Sequence, residues 1–510
     1  MSRTRRAITA AGFQYAQLTL GLVSGVVLFP LTIRAVGVYD FGLWLATGEV
    51  VGYVLLADLG VFGVLPWLVA ARDGANDRPG IARLTADALA VGVVLAAVLA
   101  AAGAGVWFLD PTAVRVDPGV WAKVRPALAA MLGLSAAAAL VRPFPALLIG
   151  LQDAVFVGWV GISQAALTIG LTVGMVLVGG FGLTGLAVAT ALPPMVGGVA
   201  SAGRALAAHR DTLRLPRPSF AGGWHLVREG FGAWMAGFGV RLLTGSTSLI
   251  LAGLGRTAEA TLFAATGKAA QLLQNFAWVL PDSGLVGLSQ VRAGGDAAHT
   301  RRSVLSLVVM YLLLSGFMAF AVLAANPALV RVWLGPDLYA GAAVNAVIAV
   351  NLILSAAVTG PFKTVAAVAY RPAVGTATLV FGLLAAGLSY GLGKAGGLAW
   401  VAAGPSVAAV VFAVPFGLWL LPKAFPLARR DVTSWWLAWA ARSVPFLVAG
   451  ALLGVALWER PVACFAAAAV VGLAYVAFAR PVIALVPWPE SVRRILVRVR
   501  LMPARPAGSA

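Results

Sequence analysis

The chain is short of charge, has one cysteine and lacks any long polar stretch, and each shortage excludes a class of protein. Charged residues make up 11% of its 510 positions, against about 25% in a soluble domain. A chain this poor in charge, with 61% hydrophobic residues, does not fold in water. Cys464 is the only cysteine and sits in an apolar run, which excludes intrachain disulfides and thiolate clusters. His209, His225 and His299 fall in separate polar links without metal-ligand spacing and read as solvated loop residues. The alternating pattern of membrane strands is missing too. The longest link between apolar runs, around 207–228, leaves no room for a soluble catalytic domain. No outer link pairs a histidine with a carboxylate, so acid–base machinery is absent and the chain does not read as an enzyme.

What is present is a succession of Leu/Ala/Val-rich runs, with a mean hydropathy of +0.93. At about 20 apolar residues per crossing, they make about 14 spans of an all-α polytopic membrane protein. The formal net charge of +19 is spread through short links, a pattern that sets topology and does not build a nucleic-acid surface. With the N-terminus inside, Arg3, Arg5, Arg6, Arg72, Arg78, Arg83, Arg204, Arg210, Arg214, Arg217, Arg228 and the tail arginines are cytoplasmic. Fewer basic residues, among them Arg34, Arg115, Arg256 and Arg331, lie outside. Both termini are therefore expected in the cytoplasm. The first apolar run reaches Ile33, beyond the roughly 7–15 residues of a signal-peptide core, and reads as a retained helix. Tryptophans 44, 107, 121, 333, 435 and 458 fall near span ends, as an interfacial belt requires. In the tail, Val492, Ile495, Leu496 and Val499 share one helical face, with Arg493, Arg494, Arg498 and Arg500 on the rest. Such a helix lies on an anionic inner leaflet or simply stops the last span.

Three echoes point to duplication. Ala46-Thr47-Gly48-Glu49, in a second span over 41–69, returns as Ala265-Thr266-Gly267-Lys268 in an eighth over 258–287. Pro143-Phe144 returns as Pro361-Phe362, and Gly185-Leu186-Ala187 with Pro193 returns as Gly397-Leu398-Ala399 with Pro405. Three matches in the same order at nearly one offset indicate an internal repeat. The expected organisation is an N-lobe (1–207, TM1–6), a cytoplasmic linker (208–228) and a C-lobe (229–421, TM7–12). Two extra helices (433–487, TM13–14) and a basic amphipathic tail (488–510) follow. Lobes with an even number of spans share orientation, so their pseudo-two-fold runs along the membrane normal.

Arg34-x-x-Gly37, Asp40-Phe41-Gly42-Leu43-Trp44 and Leu56-x-Asp58-Leu59-Gly60 resemble the opening signature of bacterial polysaccharide flippases. These are the O-antigen and teichoic-acid type exporters of the multidrug/oligosaccharidyl-lipid/polysaccharide superfamily. Gly150-Leu151-Gln152-Asp153 and Pro281 also fit. The resemblance implies two six-helix bundles around a central cavity. It also implies alternating-access movement of a polyprenyl-(pyro)phosphate-linked oligosaccharide across the inner membrane of a bacterium, for cell-surface polysaccharide biosynthesis. The partners it implies are the lipid-linked oligosaccharide, membrane lipids and a glycan polymerase, without nucleic acid or a cofactor. One alternative is a cation/drug antiporter of the same superfamily, disfavoured by deep charges that lean basic. The other is a membrane glycan polymerase or ligase, disfavoured by the short outer links.

Several charges within the spans are candidates for the work. Arg241, about 18 Å into its span at 1.5 Å per residue, reads as a cavity cation for the pyrophosphate or as a structural partner for a carbonyl or carboxylate. Glu49 and Lys268, at repeat-equivalent positions, are expected either to meet across the lobes as a gate that phosphate opens, or to be satisfied each within its own lobe. Arg34, at the outer end of the first span, guides phosphate release or anchors the helix at the interface. Asp58 and Asp282 are candidates to bind a coupling proton or sodium ion, or to cap neighbouring helices. Arg142 and Arg442 read as snorkelling side chains.

Overall fold

The computed structural model describes residues 3–110, 117–210, 216–279, 281–282, 285, 288, 297–368, 372–425, 427, 429–484, 494 and 497–498. Helices run throughout and no strand occurs among these residues. A bilayer offers no water to pair backbone N–H and C=O groups, and a helix pairs them locally. By length and composition, 13 of the described helices can cross a membrane. The expected eighth span is not among them. Its helix, Thr257–Ala277, carries Glu259, Lys268, Gln271, Gln274 and Asn275, and much of 280–296 lies outside the described residues. Most of the 488–510 tail, including Val492, Ile495, Leu496 and Val499, also lies outside them.

The chain divides into two compact units, Met1–Ala260 and Thr261–Ala510. The first holds α1 (Arg3–Val36), α2 (Val38–Val54), α3 (Val61–Gly74), α4 (Arg78–Phe108), α5 (Pro118–Val141), α6 (Pro143–Gly150), α7 (Ala154–Leu171), α8 (Gly182–Ala208) and α9 (Phe220–Gly253). Helix α9 takes up the last part of the 208–228 link and packs in this unit against α2, α3 and α4. Leu65 and Val69 of α3, Leu95 and Leu99 of α4, Leu147 and Leu148 of α6 and Leu226 of α9 share one buried cluster. Large apolar side chains such as Trp67 and Phe108 are left exposed on this unit.

The apolar run read as the second span, 41–69, is broken in the structure. After α2 a 3-10 turn, Leu55–Asp58, ends in two left-handed residues, Leu59 (φ 50°) and Gly60 (φ 81°), before α3 begins. The Gly60 N–H donates to Asp58 Oδ1 at 3.1 Å, which closes the break. Glycine is required here twice over. The positive φ disfavours other residues, and a Cβ would overlap the Gly230 carbonyl of α9, a backbone atom that cannot swing away.

The second unit takes up α10 (Thr257–Ala277) from Thr261 onward and continues with α11 (Ala297–Trp333), α12 (Ala342–Val368), α13 (Pro372–Ala395), α14 (Leu398–Ala408), α15 (Val414–Ala424), α16 (Arg429–Leu457) and α17 (Pro461–Phe478). Helix α11 is its central post and packs against α12, α16 and α17. Lipid supplies no hydrophobic drive between helices, so small residues and polar contacts hold them. Gly454 of α16 comes against the Leu323 carbonyl. Cys464 Sγ donates to Ala324 O at 3.1 Å, and the Ser443 and Tyr475 hydroxyls meet at 2.8 Å. Asn326 donates to Thr266 O and to Asn345 Oδ1, both at 2.8 Å. The two C-terminal helices are thus built into this unit by contacts to α11.

Candidate functional site

Glu49 of α2 and Arg241 of α9 meet within the first unit. Arg241 Nε lies 2.9 Å from Glu49 Oε2, and Arg241 Nη2 donates to the Gly48 carbonyl at 3.3 Å. The local sequence makes room for both side chains. Gly48 and Gly52 are one turn apart on α2, and Gly245 lies one turn beyond Arg241 on α9, so each long side chain lies over glycine on the facing helix. A Cβ at Gly52 would overlap the Arg241 guanidinium, and one at Gly245 would overlap the Glu49 carboxylate. The Nε–Oε2 approach is close but misses hydrogen-bond alignment, so neither of these buried atoms has an aligned partner. The pair is held by charge rather than by a directed bond.

One turn along α2 from Glu49, the Tyr53 hydroxyl is also buried without a partner. Its ring packs 5.6 Å from Phe238, the end of an aromatic row on α9 through Trp234 and Phe231. Trp234 Nε1 donates to Leu56 O at 2.7 Å and fastens this row to the broken segment. Beside the guanidinium lies a cavity of about 380 Å³, lined by Gly48, Gly52, Leu56, Met131, Gly237 and Thr244 among others. The site is a half-buried cation backed by a carboxylate and facing a cavity. It can take an oxyanion.

The other candidates are placed elsewhere. Asp58 is buried, with Oδ1 on the Gly60 N–H and Oδ2 at 3.5 Å from Arg142 Nη2. Its position is that of a cap on the helix break. Arg142, read as snorkelling, is half-exposed, lies 3.5 Å from Asp58 Oδ2 and stands over the Phe62 ring, 5.0 Å from its centre. In the second unit Asp282 receives Lys363 Nζ on both oxygens and the Tyr311 hydroxyl on Oδ1. Lys268 donates to Gln271 Oε1 at 3.3 Å. Arg34 is exposed in the last turn of α1. Arg442 Nη1 donates to the Ala438 carbonyl one turn back on its own helix.

Sequence reasoning separated Glu49 from Arg241 because nothing in the sequence says that α2 and α9 are neighbours. It also missed Tyr53, Tyr311 and Lys363. A signal for two of the bases was available: Arg142 precedes one copy of the repeated Pro-Phe and Lys363 follows the other.

No protein-family model matches the chain, and no curated protein does. Solved structures do. A multidrug resistance MATE family transporter of the MOP superfamily, inward-facing, aligns with a TM-score of 0.62 at 16% identity, over 82% of this chain and 98% of that one. An outward-facing structure of such a transporter aligns at 0.55 and 16%, over 82% and 93%. A MOP superfamily transporter from Pyrococcus furiosus, whose binding pocket is described as reversed in polarity and suggestive of a different function, aligns at 0.55 and 16%, over 82% and 94%. The protein is an all-helical, multi-pass membrane protein with the fold of the MATE family transporters.

Proposed function

We propose that this protein is a flippase. It carries a polyprenyl-(pyro)phosphate-linked oligosaccharide across the cytoplasmic membrane by alternating access, for cell-surface polysaccharide biosynthesis. The observation that carries the reading is Arg241, a cation roughly 18 Å from the Gly253 end of α9 at 1.5 Å per residue, presented to a cavity. A pyrophosphate loses its hydration in crossing the bilayer, and a guanidinium replaces that hydration with forked, charge-assisted donors. The fold supports the mechanism, since solved neighbours include inward-facing and outward-facing conformations. The Pyrococcus furiosus neighbour is described as having a pocket of reversed polarity that suggests a different function, and in this chain the cavity is lined by a cation. Lys268 and Arg34 are further phosphate contacts in this reading, and a coupling ion drives the cycle. Both termini are cytoplasmic, and a glycan polymerase uses the product on the far side.

A second reading, an antiporter of cationic compounds, draws on Glu49 beside the same cavity and on the multidrug neighbours. Transport in proteoliposomes separates the two. The flippase reading expects a fluorescent lipid-linked oligosaccharide to cross in the presence of the wild type, and Arg241→Gln to slow it by a factor of about 100, for about 2.7 kcal/mol of lost anion stabilisation. Efflux of a cationic dye, with no movement of the glycolipid, would overturn it in favour of the antiporter.

A further inference from the structure

We infer that Glu49 is the proton-binding group of this site: an incoming phosphate takes Arg241 away from Glu49, and the carboxylate left behind takes up one proton. The inference rests on the reading of the cavity as an anion site and adds the ion that moves with the anion.

The first support is elimination. Asp58 and Asp282 were the sequence's candidates for a coupling ion, yet both oxygens of Asp282 accept hydrogen bonds and Oδ1 of Asp58 is taken by a backbone N–H. Asp58 is held by the Gly60 N–H and Arg142. Asp282 is held by Lys363 on each oxygen and by Tyr311. Glu49 has only the off-axis contact to Arg241, with Oε2 lacking an aligned donor. A phosphate that meets the guanidinium with two aligned bonds competes well against such a contact.

The second support is position. Arg241 lines the cavity together with Gly48, Gly52, Gly237 and Thr244, and Glu49 is not part of that lining. The anion therefore arrives on one side of the guanidinium while the carboxylate stays behind it. There Glu49 has 18% of its side chain exposed, and an unpaired charge so placed is disfavoured against its neutral form.

Among the described residues of the helices that pack on α2, no second cation stands ready to replace Arg241. Helix α2 packs against α1, α5, α8 and α9. On α5, Lys123 binds Asp40 and Arg125 lies over Trp107. On α8, Arg204 binds Asp153. Arg34 is exposed in the last turn of α1, and Arg228 and Glu229 are exposed toward the other end of α9. The Tyr53 hydroxyl, one turn from Glu49, is buried without a partner and offers the carboxyl a hydrogen bond in either protonation state. The step balances simply: a guanidinium–carboxylate contact is replaced by a guanidinium–phosphate contact, and one proton passes from water to a Glu49 oxygen.

Linkage gives the sign. If one proton binds with the anion, anion affinity rises as pH falls, by up to tenfold per pH unit. The rise is confined to the range between the proton affinities of Glu49 with and without Arg241 beside it.

The test is calorimetric titration of the full chain in detergent with a soluble pyrophosphate diester, whose own charge is constant over about pH 5–8. Repeating it in buffers of different ionisation enthalpy counts the protons. We expect close to one proton taken up per anion in the wild type. Glu49→Gln should take up none and should bind more tightly at the alkaline end. Glu49→Asp, a milder change, should keep the uptake but move its pH range. Binding without uptake, or uptake that persists in Glu49→Gln, overturns the proton assignment and leaves the anion site standing. A wild type that does not bind the diester overturns the anion site, and this inference falls with it.

Discussion

Lys363 Nζ lies 2.9 Å and 2.8 Å from the two oxygens of Asp282, and Tyr311 closes the cluster with its hydroxyl on the same carboxylate. Lys363 also stands 5.4 Å over the Trp278 ring, which meets Tyr311 edge-on. The first unit has a related device in Asp58 and Arg142. Each joins an acid of the second or eighth predicted span to a base beside the repeated Pro-Phe. The ion pair is about two-fifths exposed on both sides and contributes little, while Tyr311 is fully buried. Tyr311→Phe is therefore expected to lower stability by about 1.5–3 kcal/mol, the worth of a hydrogen bond to a charged group. Lys363→Ala should cost less, about 1 kcal/mol. Thermal unfolding of the purified variants measures both, and a larger loss in Lys363→Ala than in Tyr311→Phe would contradict the ranking.

The glycines around Glu49 and Arg241 allow the site to be moved without breaking the fold. A Cβ at Gly52 or Gly245 meets the far end of a flexible side chain, not backbone, so Gly52→Ala and Gly245→Ala should cost at most about 1 kcal/mol. Both displace the ion pair. Transport is expected to fall about tenfold or more in each, since a shift near 1 Å at a binding group is enough. Wild-type transport with unchanged unfolding in both variants would show that the pair's position is immaterial.

The helices themselves were legible because lipid-length apolar runs have one structural solution. The break at Asp58-Leu59-Gly60 was not, since its left-handed turn is set by the approach of Gly230 from far along the chain. Arg241 was picked out by depth alone, and depth does not name a partner. Glu49 was read through the repeat either as a partner of Lys268 or as satisfied within its own lobe, and the Arg241 it meets within the first unit was not named as its partner. A repeat relates residues by descent, and packing relates them by distance; only the first can be read from one sequence.

Between α3 and α4, the Asp77 carboxylate accepts from the Gly80 N–H at 2.9 Å and also from Arg72. The Gly80 N–H, and after it Arg72, hold the carboxyl below the usual aspartate range. A carboxylate depressed on folding stabilises above its unfolded pKa, and the effect is lost as pH falls through the folded value. Hydrogen exchange at Gly80 should stay protected at neutral pH and lose protection only below the ordinary aspartate range. Asp77→Asn should remove this acid-side step, and a step that persists in the variant would assign it to another group.

Asp87 gives the linker ahead of α9 its anchor. It is buried on α4, and its Oδ1 accepts the Ser219 N–H at 2.8 Å. Its Oδ2 occupies the space a Cβ at Gly222 would need, and the Ser219 hydroxyl in turn accepts the Gly222 N–H at 3.0 Å. The first turn of α9 is thus capped by its own serine and tied to α4 by an aspartate 132 positions earlier. Asp87→Ala leaves the Ser219 N–H without its partner and should cost about 1–2 kcal/mol. Asp87→Asn keeps an acceptor oxygen and should recover most of that loss. The local signature is faster proteolysis of the 208–219 link in Asp87→Ala, with Asp87→Asn close to wild type. Equal cleavage in all three would mean that α9 is positioned by its apolar packing alone.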